Sequence, residues 1–185
     1  MLIFYDCEFT DPLPGAGLIS IALVAEDDDC EPLYLELNEG WGCTECSTFV
    51  LTNVLPLLGR HNPLLLSRAA AAARIEAWLD GLRGGDRTAQ LVLLSDSDMD
   101  WQQLLGLFPV EPGEKPWPAA FNATGRVVLH ELLGGKGEPR VFNEAMEEYF
   151  QRSAPAMVRR GGERHHALID ALAIKHAWRA AVQEG

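Results

Sequence analysis

Met1-Leu2-Ile3-Phe4-Tyr5-Asp6-Cys7-Glu8-Phe9-Thr10 opens the chain, an unbroken apolar and aromatic run that meets two acids spaced by one residue. A short continuous apolar run reads as a buried strand, since a strand covered on both faces has no polar side to show. The acids that follow stand at its C-terminal mouth. Side chains two apart on a strand point the same way, so Asp6 and Glu8 share a face and Cys7 turns away from them into the core. Two like charges on one face call for a cation, and Mg2+ or Mn2+ takes several carboxylate and water oxygens. The motif alone carries little weight, because with 27 acidic residues in the chain about one Asp-x-Glu arises by chance. Its position directly after an apolar strand is what singles it out.

Working outward, Leu18 to Ala25 (LISIALVA) follows a Pro/Gly turn as a second buried strand, and Pro32 to Leu37 (PLYLEL) alternates as a third. These three suggest a meander. Thr48 to Leu57 reads as a short helix capped by Ser47 or Thr48, with Pro56 near its end. Ser67 to Leu82 is Ala-rich, has Ile75, Trp78, Leu79 and Leu82 on one helical face and stops before Gly84-Gly85. Gln90 to Leu94 is a strand, Trp101 to Leu107 a helix, Glu111 to Pro118 a Pro-rich loop, Arg126 to Leu129 a strand and Gly134 to Gly137 a turn. Helices from Phe142 to Arg152 and from about His166 to Val182 complete the order βββ-α-β-α-β-α-α. That order predicts an α/β layer fold with a mixed sheet whose crossover strands run parallel to the first.

The chain has 185 residues, 48% hydrophobic and 23% charged, as in ordinary globular proteins, and no internal repeat or composition shift divides it. One domain over residues 1–185 is expected. The apolar start meets Asp6 and Glu8 before it can form a membrane-embedded stretch or signal peptide, so a cytoplasmic protein without membrane attachment is expected. Cys7, Cys30, Cys43 and Cys46 are then expected as reduced thiols. A net charge of -12 argues against loose, charge-driven attachment to long nucleic acid. It does not exclude phosphate chemistry, because a carboxylate cluster meets phosphate through its cation.

A second acid centre follows the strand Gln90 to Leu94, where Ser95-Asp96-Ser97-Asp98-Met99-Asp100 leads into a helix. One of Asp98 and Asp100 can serve as the helix cap. Three acids in five residues at a strand mouth exceed what capping needs. A third centre, Glu163-Arg164-His165-His166-Ala167-Leu168-Ile169-Asp170, follows Gly161-Gly162. His166 and Asp170 are four apart, the spacing of a modest ion pair on a helix. His165 and Asp170 are about 140° apart around a helix axis, so they converge only if His165 sits on the loop or first turn. The residues alone leave His165 open as a general base or as a surface histidine.

Taken in order, the three centres resemble the DEDDh 3′-to-5′ exonucleases of the ribonuclease H-like superfamily, which include oligoribonuclease and polymerase proofreading subunits. Asp6-Cys7-Glu8 is similar to that family's first motif, Asp100 with its preceding polar residues and following Leu104 to the second, and His165-x-x-x-x-Asp170 to the third. The openings FYDCEFTD and LISIALVAED, with VLPLL at Val54 to Leu58, look most like the small RNase AS type, which acts on adenylate-containing RNA. Residues Pro109 to Arg140 match nothing in the family.

The resemblance implies a three-layer fold with a central mixed five-stranded sheet flanked by helices. It implies that Asp6, Glu8, Asp100 and Asp170 hold two Mg2+ or Mn2+ ions, that Asp96 takes a polar flank position, and that His165 rather than His166 is the base. It implies release of nucleoside 5′-monophosphates from single-stranded RNA or DNA 3′ ends, with Phe9 and Thr10 as candidate substrate contacts and a homodimer as an expected assembly. RNA is the expected substrate. A DNA exonuclease and a non-catalytic nucleic-acid-binding module are the alternatives, and all five catalytic groups being present disfavours the second. Phe9 can equally be a core residue.

Cys43-Thr44-Glu45-Cys46 has the spacing of half a zinc site, but no second Cys-x-x-Cys or His pair completes it. No histidine is tied to a cysteine in the manner of a nucleophilic enzyme. Gly134-Gly135-Lys136-Gly137 is too short for a phosphate-binding loop.

Overall fold

The computed structural model describes residues 1–86, 88–108, 124–128, 139–153 and 164–183. β1 (Leu2–Phe9), β2 (Leu18–Ala25) and β3 (Leu33–Leu37) form the expected antiparallel meander, with Asp6 opposite Ala22 and Glu8 opposite Ser20. β1 runs four residues beyond the apolar opening, so both acids lie on the strand itself. The register shifts between Glu8 and Phe9, and such a bulge re-aims the side chains at a strand end.

After α1 (Thr48–Asn53), a three-residue strand, β4 (Leu64–Leu66), pairs in parallel with β3 at the sheet edge. α2 (Arg68–Arg83) leads to β5 (Leu91–Ser95), α3 (Asp98–Gly106), β6 (Thr124–Val128), α4 (Pro139–Ser153) and α5 (Ala167–Gln183). The sheet order is β4-β3-β2-β1-β5-β6, with β5 parallel to β1 and β6 parallel to β5. All five expected strands are present. The sixth, β4, is an addition that three Leu residues after Pro63 were too few to signal.

Two-residue alternation along β1 separates the layers. Ile3, Tyr5 and Cys7 pack with Ala71, Ile75 and Leu79 of α2 and with Trp101 and Leu104 of α3. Phe4 packs on the opposite face with Phe142 and Ala145 of α4 and Ile174 and Ala177 of α5, while Ala22 and Val24 of β2 meet Ala167 and Ala171. Both faces of the sheet are covered, so its central strands read as continuous apolar runs. Each large apolar side chain buried this way contributes roughly 1.5–3 kcal/mol. The result is a three-layer α/β arrangement of ribonuclease H-like type.

Local chemistry sets the helix ends. The Ser67 hydroxyl accepts the Ala70 amide to cap α2, which ends at Gly84 with a left-handed φ of 59°. Ser47 caps α1 by accepting from Val50, and Pro56 diverts the expected longer helix into a separate 3-10 turn, Leu55–Leu57. α3 starts three residues earlier than its apolar pattern suggests and is capped by Ser97, which accepts from Met99, so neither Asp98 nor Asp100 is the cap. The expected loop Glu111 to Pro118, the turn Gly134 to Gly137 and the Gly161-Gly162-Glu163 stretch lie outside the described residues. No helix among the described residues is long and apolar enough to cross a membrane.

Candidate metal centre

β1 and β5 are parallel neighbours, so their C-terminal ends lie at the same edge of the sheet. In open α/β sheets ligands bind beyond those ends. β1 brings Asp6 and Glu8 to that edge on the face covered by α5. β5 ends at Ser95 and hands the chain to Asp96, and the first turn of α3 then carries Asp100. From the other side the first turn of α5 carries Asp170, with His165 on the turn before it. All six residues line one cleft of about 380 Å³.

The acids divide into two sets. One oxygen each of Asp6, Asp96 and Asp100 lie within 4.8 Å of one another, as do ligand atoms of Glu8, Asp170 and His165. Asp6 Oδ2, Asp100 Oδ2 and Asp170 Oδ1 are buried with no hydrogen-bond partner among the described residues. Leaving a buried carboxylate oxygen without a donor is costly, and a divalent cation removes that cost. These acidic clusters can hold a metal ion.

The charge balance agrees. Burial first, and then repulsion from Asp170, Asp100 and Asp96, raises the Glu8 carboxyl to about 9. Burial followed by repulsion from Asp100 and Asp170 holds Asp6 well above the carboxylate range, and burial with Asp96 does the same to Asp100. Asp170 rises to about 7 for the same first reason, although its Oδ2 accepts the His165 amide at 2.9 Å. So many raised carboxyls in one place mark a site that lacks positive charge.

The positive φ of His165, 70°, places it on a turn, which satisfies the condition for its convergence with Asp170. Its ring meets the edge of Phe49 at a centroid distance of 4.8 Å. Burial and the neighbouring Arg164 lower its pKa, favouring the neutral imidazole that can accept a proton. His166 turns elsewhere. It is 1% exposed and packs between Tyr34 and His61, with ring centroids at 4.6 and 4.9 Å, while the Asp170 carboxylate bonds the His165 amide.

Of the two candidate substrate contacts, Phe9 both lines the cleft and packs against the core. Thr10 is buried, and its hydroxyl accepts the Gly17 amide at 3.0 Å. Gly17 must come this close, because a Cβ there would stand 2.6 Å from the Gly40 carbonyl oxygen. Cys7 is buried and packs into the core, as expected, yet it also borders the cleft, its thiol donating to the Asp100 carbonyl at 3.6 Å. Cys43 and Cys46 belong to neither metal-capable set among the described residues.

The cleft also contains residues that sequence patterning did not select. Asp96, expected as a polar flank, brings its carboxylate into the set with Asp6 and Asp100. Phe49 is 51% exposed on α1, and an exposed aromatic on a six-residue helix leaves no periodic signal. Arg164 is the one cation among the described lining residues. It bonds Glu147 of α4 at 2.6 Å and lies over the Phe150 ring at 4.4 Å. Compared with known proteins, the chain matches no family model and no curated protein.

Proposed function

We propose that the chain is a metal-dependent 3′-to-5′ exonuclease of the DEDDh type, a cytoplasmic exoribonuclease that releases nucleoside 5′-monophosphates. The observation that carries this reading is the convergence of Asp6, Glu8, Asp100, Asp170 and His165 at one sheet edge, with buried carboxylate oxygens that lack partners among the described residues. The donor set suits hard divalent cations, since carboxylate oxygens are the ligands Mg2+ and Mn2+ prefer. Two such ions, held by those four acids, would supply Lewis-acid stabilisation of the attacking and leaving oxygens of an in-line phosphoryl displacement.

The protein's own groups account for the rest. His165 accepts a proton from the attacking water at an imidazole nitrogen, the hydroxyl oxygen bonds to phosphorus, and the bond from phosphorus to the 3′ oxygen of the preceding nucleotide breaks. Asp170 holds the His165 amide and so fixes the turn that aims the ring. Phe9, Phe49 and Phe150 give the cleft apolar walls on which unstacked bases can rest. Arg164, pinned by Glu147 and Phe150, offers a phosphate one cationic contact. A net charge of -12 suits a protein that grips a strand end rather than a long duplex.

The test is a 5′-labelled single-stranded RNA oligomer incubated with the protein and Mg2+ or Mn2+, beside a DNA oligomer of the same sequence. Stepwise shortening from the 3′ end, with nucleoside 5′-monophosphates as products and loss of activity in Asp6→Asn, is expected. Internal cuts, or no hydrolysis of either polymer, would refute the reading.

A further inference from the structure

We propose that Asp96 is a metal ligand, completing with Asp6 and Asp100 an all-carboxylate cation site distinct from the second ion's place beside Glu8 and Asp170. Geometry divides the cleft in this way, since within each triplet the ligand atoms lie within 4.8 Å of one another. Two of the carboxylates in the Asp96 triplet are deeply buried, Asp6 at 9% exposure and Asp100 at 2%. Each has an Oδ2 without a hydrogen-bond partner among the described residues. Asp100 sits on the first turn of α3, and its backbone carbonyl accepts the Cys7 thiol at 3.6 Å.

Among the described residues the Asp96 carboxylate has no hydrogen bond or ion pair to another side chain. The cap of α3 is Ser97, whose hydroxyl accepts from Met99 at 3.1 Å. The one cation among the described lining residues, Arg164, is paired with Glu147. Three acids around one point are unfavourable without a positive charge between them. Asp96 is also the exposed member of its set, so an ion seated there keeps access to solvent and can retain water ligands.

The donor set also limits which ions fit. Three carboxylates favour Mg2+, Mn2+ or Ca2+ over softer ions. This assignment concerns ion binding and stands apart from the reaction the ions serve.

The experiment titrates the metal-free full chain with Mn2+, following free ion by electron paramagnetic resonance and heat by calorimetry. Wild type is expected to take up two ions. Asp96→Asn should lose one of them or bind it at least tenfold more weakly, and should melt in EDTA no lower than wild type, which shows that it folds. Asp98→Asn, which removes an exposed charge two residues along, should bind both ions as wild type does. Wild-type uptake of fewer than two ions, unchanged binding by Asp96→Asn, or equal weakening by Asp98→Asn would overturn the assignment. Two ions bound with the expected response to Asp96→Asn, but no RNA hydrolysis, would refute the exonuclease reading and uphold this one.

Discussion

Replacing Asp170 by Asn should stabilise the metal-free protein while reducing its response to divalent cations. The amide oxygen of Asn can still accept the His165 amide that Asp170 Oδ2 accepts at 2.9 Å. Its NH2 group would stand where Asp170 Oδ1 now lies buried without a partner among the described residues. The sign follows from the raised carboxyl. Below the ordinary value of 3.8 Asp170 is protonated whether folded or unfolded, so the substitution changes little there. As pH climbs towards about 7 the unfolded chain gives up the proton and the folded one keeps it, so wild-type stability falls. Above about 7 the full cost is present, and Asn avoids it. The gap corresponds to at most ~4 kcal/mol. Solvent in the open cleft and sharing among the neighbouring acids bring the expected gain to about 1–2 kcal/mol. For a chain of this size that is a rise in Tm of roughly 2–8 °C. Thermal melts by circular dichroism in EDTA should show the rise at about pH 8 and its shrinkage towards about pH 5. Added Mn2+ should raise the Tm of wild type more than that of Asp170→Asn, which keeps the Asp6, Asp96 and Asp100 set. A variant less stable than wild type in EDTA at about pH 8 would refute the argument, because it would mean that the Asp170 charge is not costly there.

His165→Ala should lower the hydrolysis rate by about two orders of magnitude or more with an unchanged melting curve, whereas His166→Ala should cost roughly 2–4 kcal/mol of stability and little rate per folded molecule. Steady-state kinetics beside urea denaturation separates the two, and the reverse pattern would mean that the wrong neighbour was chosen as base. Arg164→Ala should raise KM about tenfold with kcat changed far less, as expected for a phosphate contact away from the reacting bond. A drop in kcat at constant KM would count against that role. Thr10→Val should destabilise by about 1–3 kcal/mol, through the Gly17 amide left without its acceptor, and keep its activity. Activity loss at full stability would return Thr10 to the substrate site.

The layered fold was legible because strand and helix periodicities differ and this chain keeps them apart. LISIALVA runs apolar on both faces, as a central strand must, and the Ala-rich stretch after Ser67 repeats at helical spacing up to Gly84. The acids were legible where local order brings them together, as with Asp6 and Glu8 on one strand face, or Asp170 on the first turn of a helix. That the Asp96 carboxylate falls in one set with Asp6 and Asp100 depends on how the loop after β5 turns, and residue spacing does not encode that direction. Phe49 and Arg164 escaped for a related reason. The partners that give them meaning, His165 for one and Glu147 with Phe150 for the other, lie far away in the chain and meet them only in the folded molecule. The helix starts at Asp98 because the Ser97 hydroxyl caps it, and capping acts before any apolar period begins.

The most direct test is metal removal and restoration on a defined substrate. The protein, stripped with EDTA and dialysed, should leave a short single-stranded RNA intact, and adding Mg2+ or Mn2+ should restore release of nucleoside 5′-monophosphates from its 3′ end. Undiminished hydrolysis in EDTA would contradict the account, because it would leave the carboxylate cluster with no part in the chemistry.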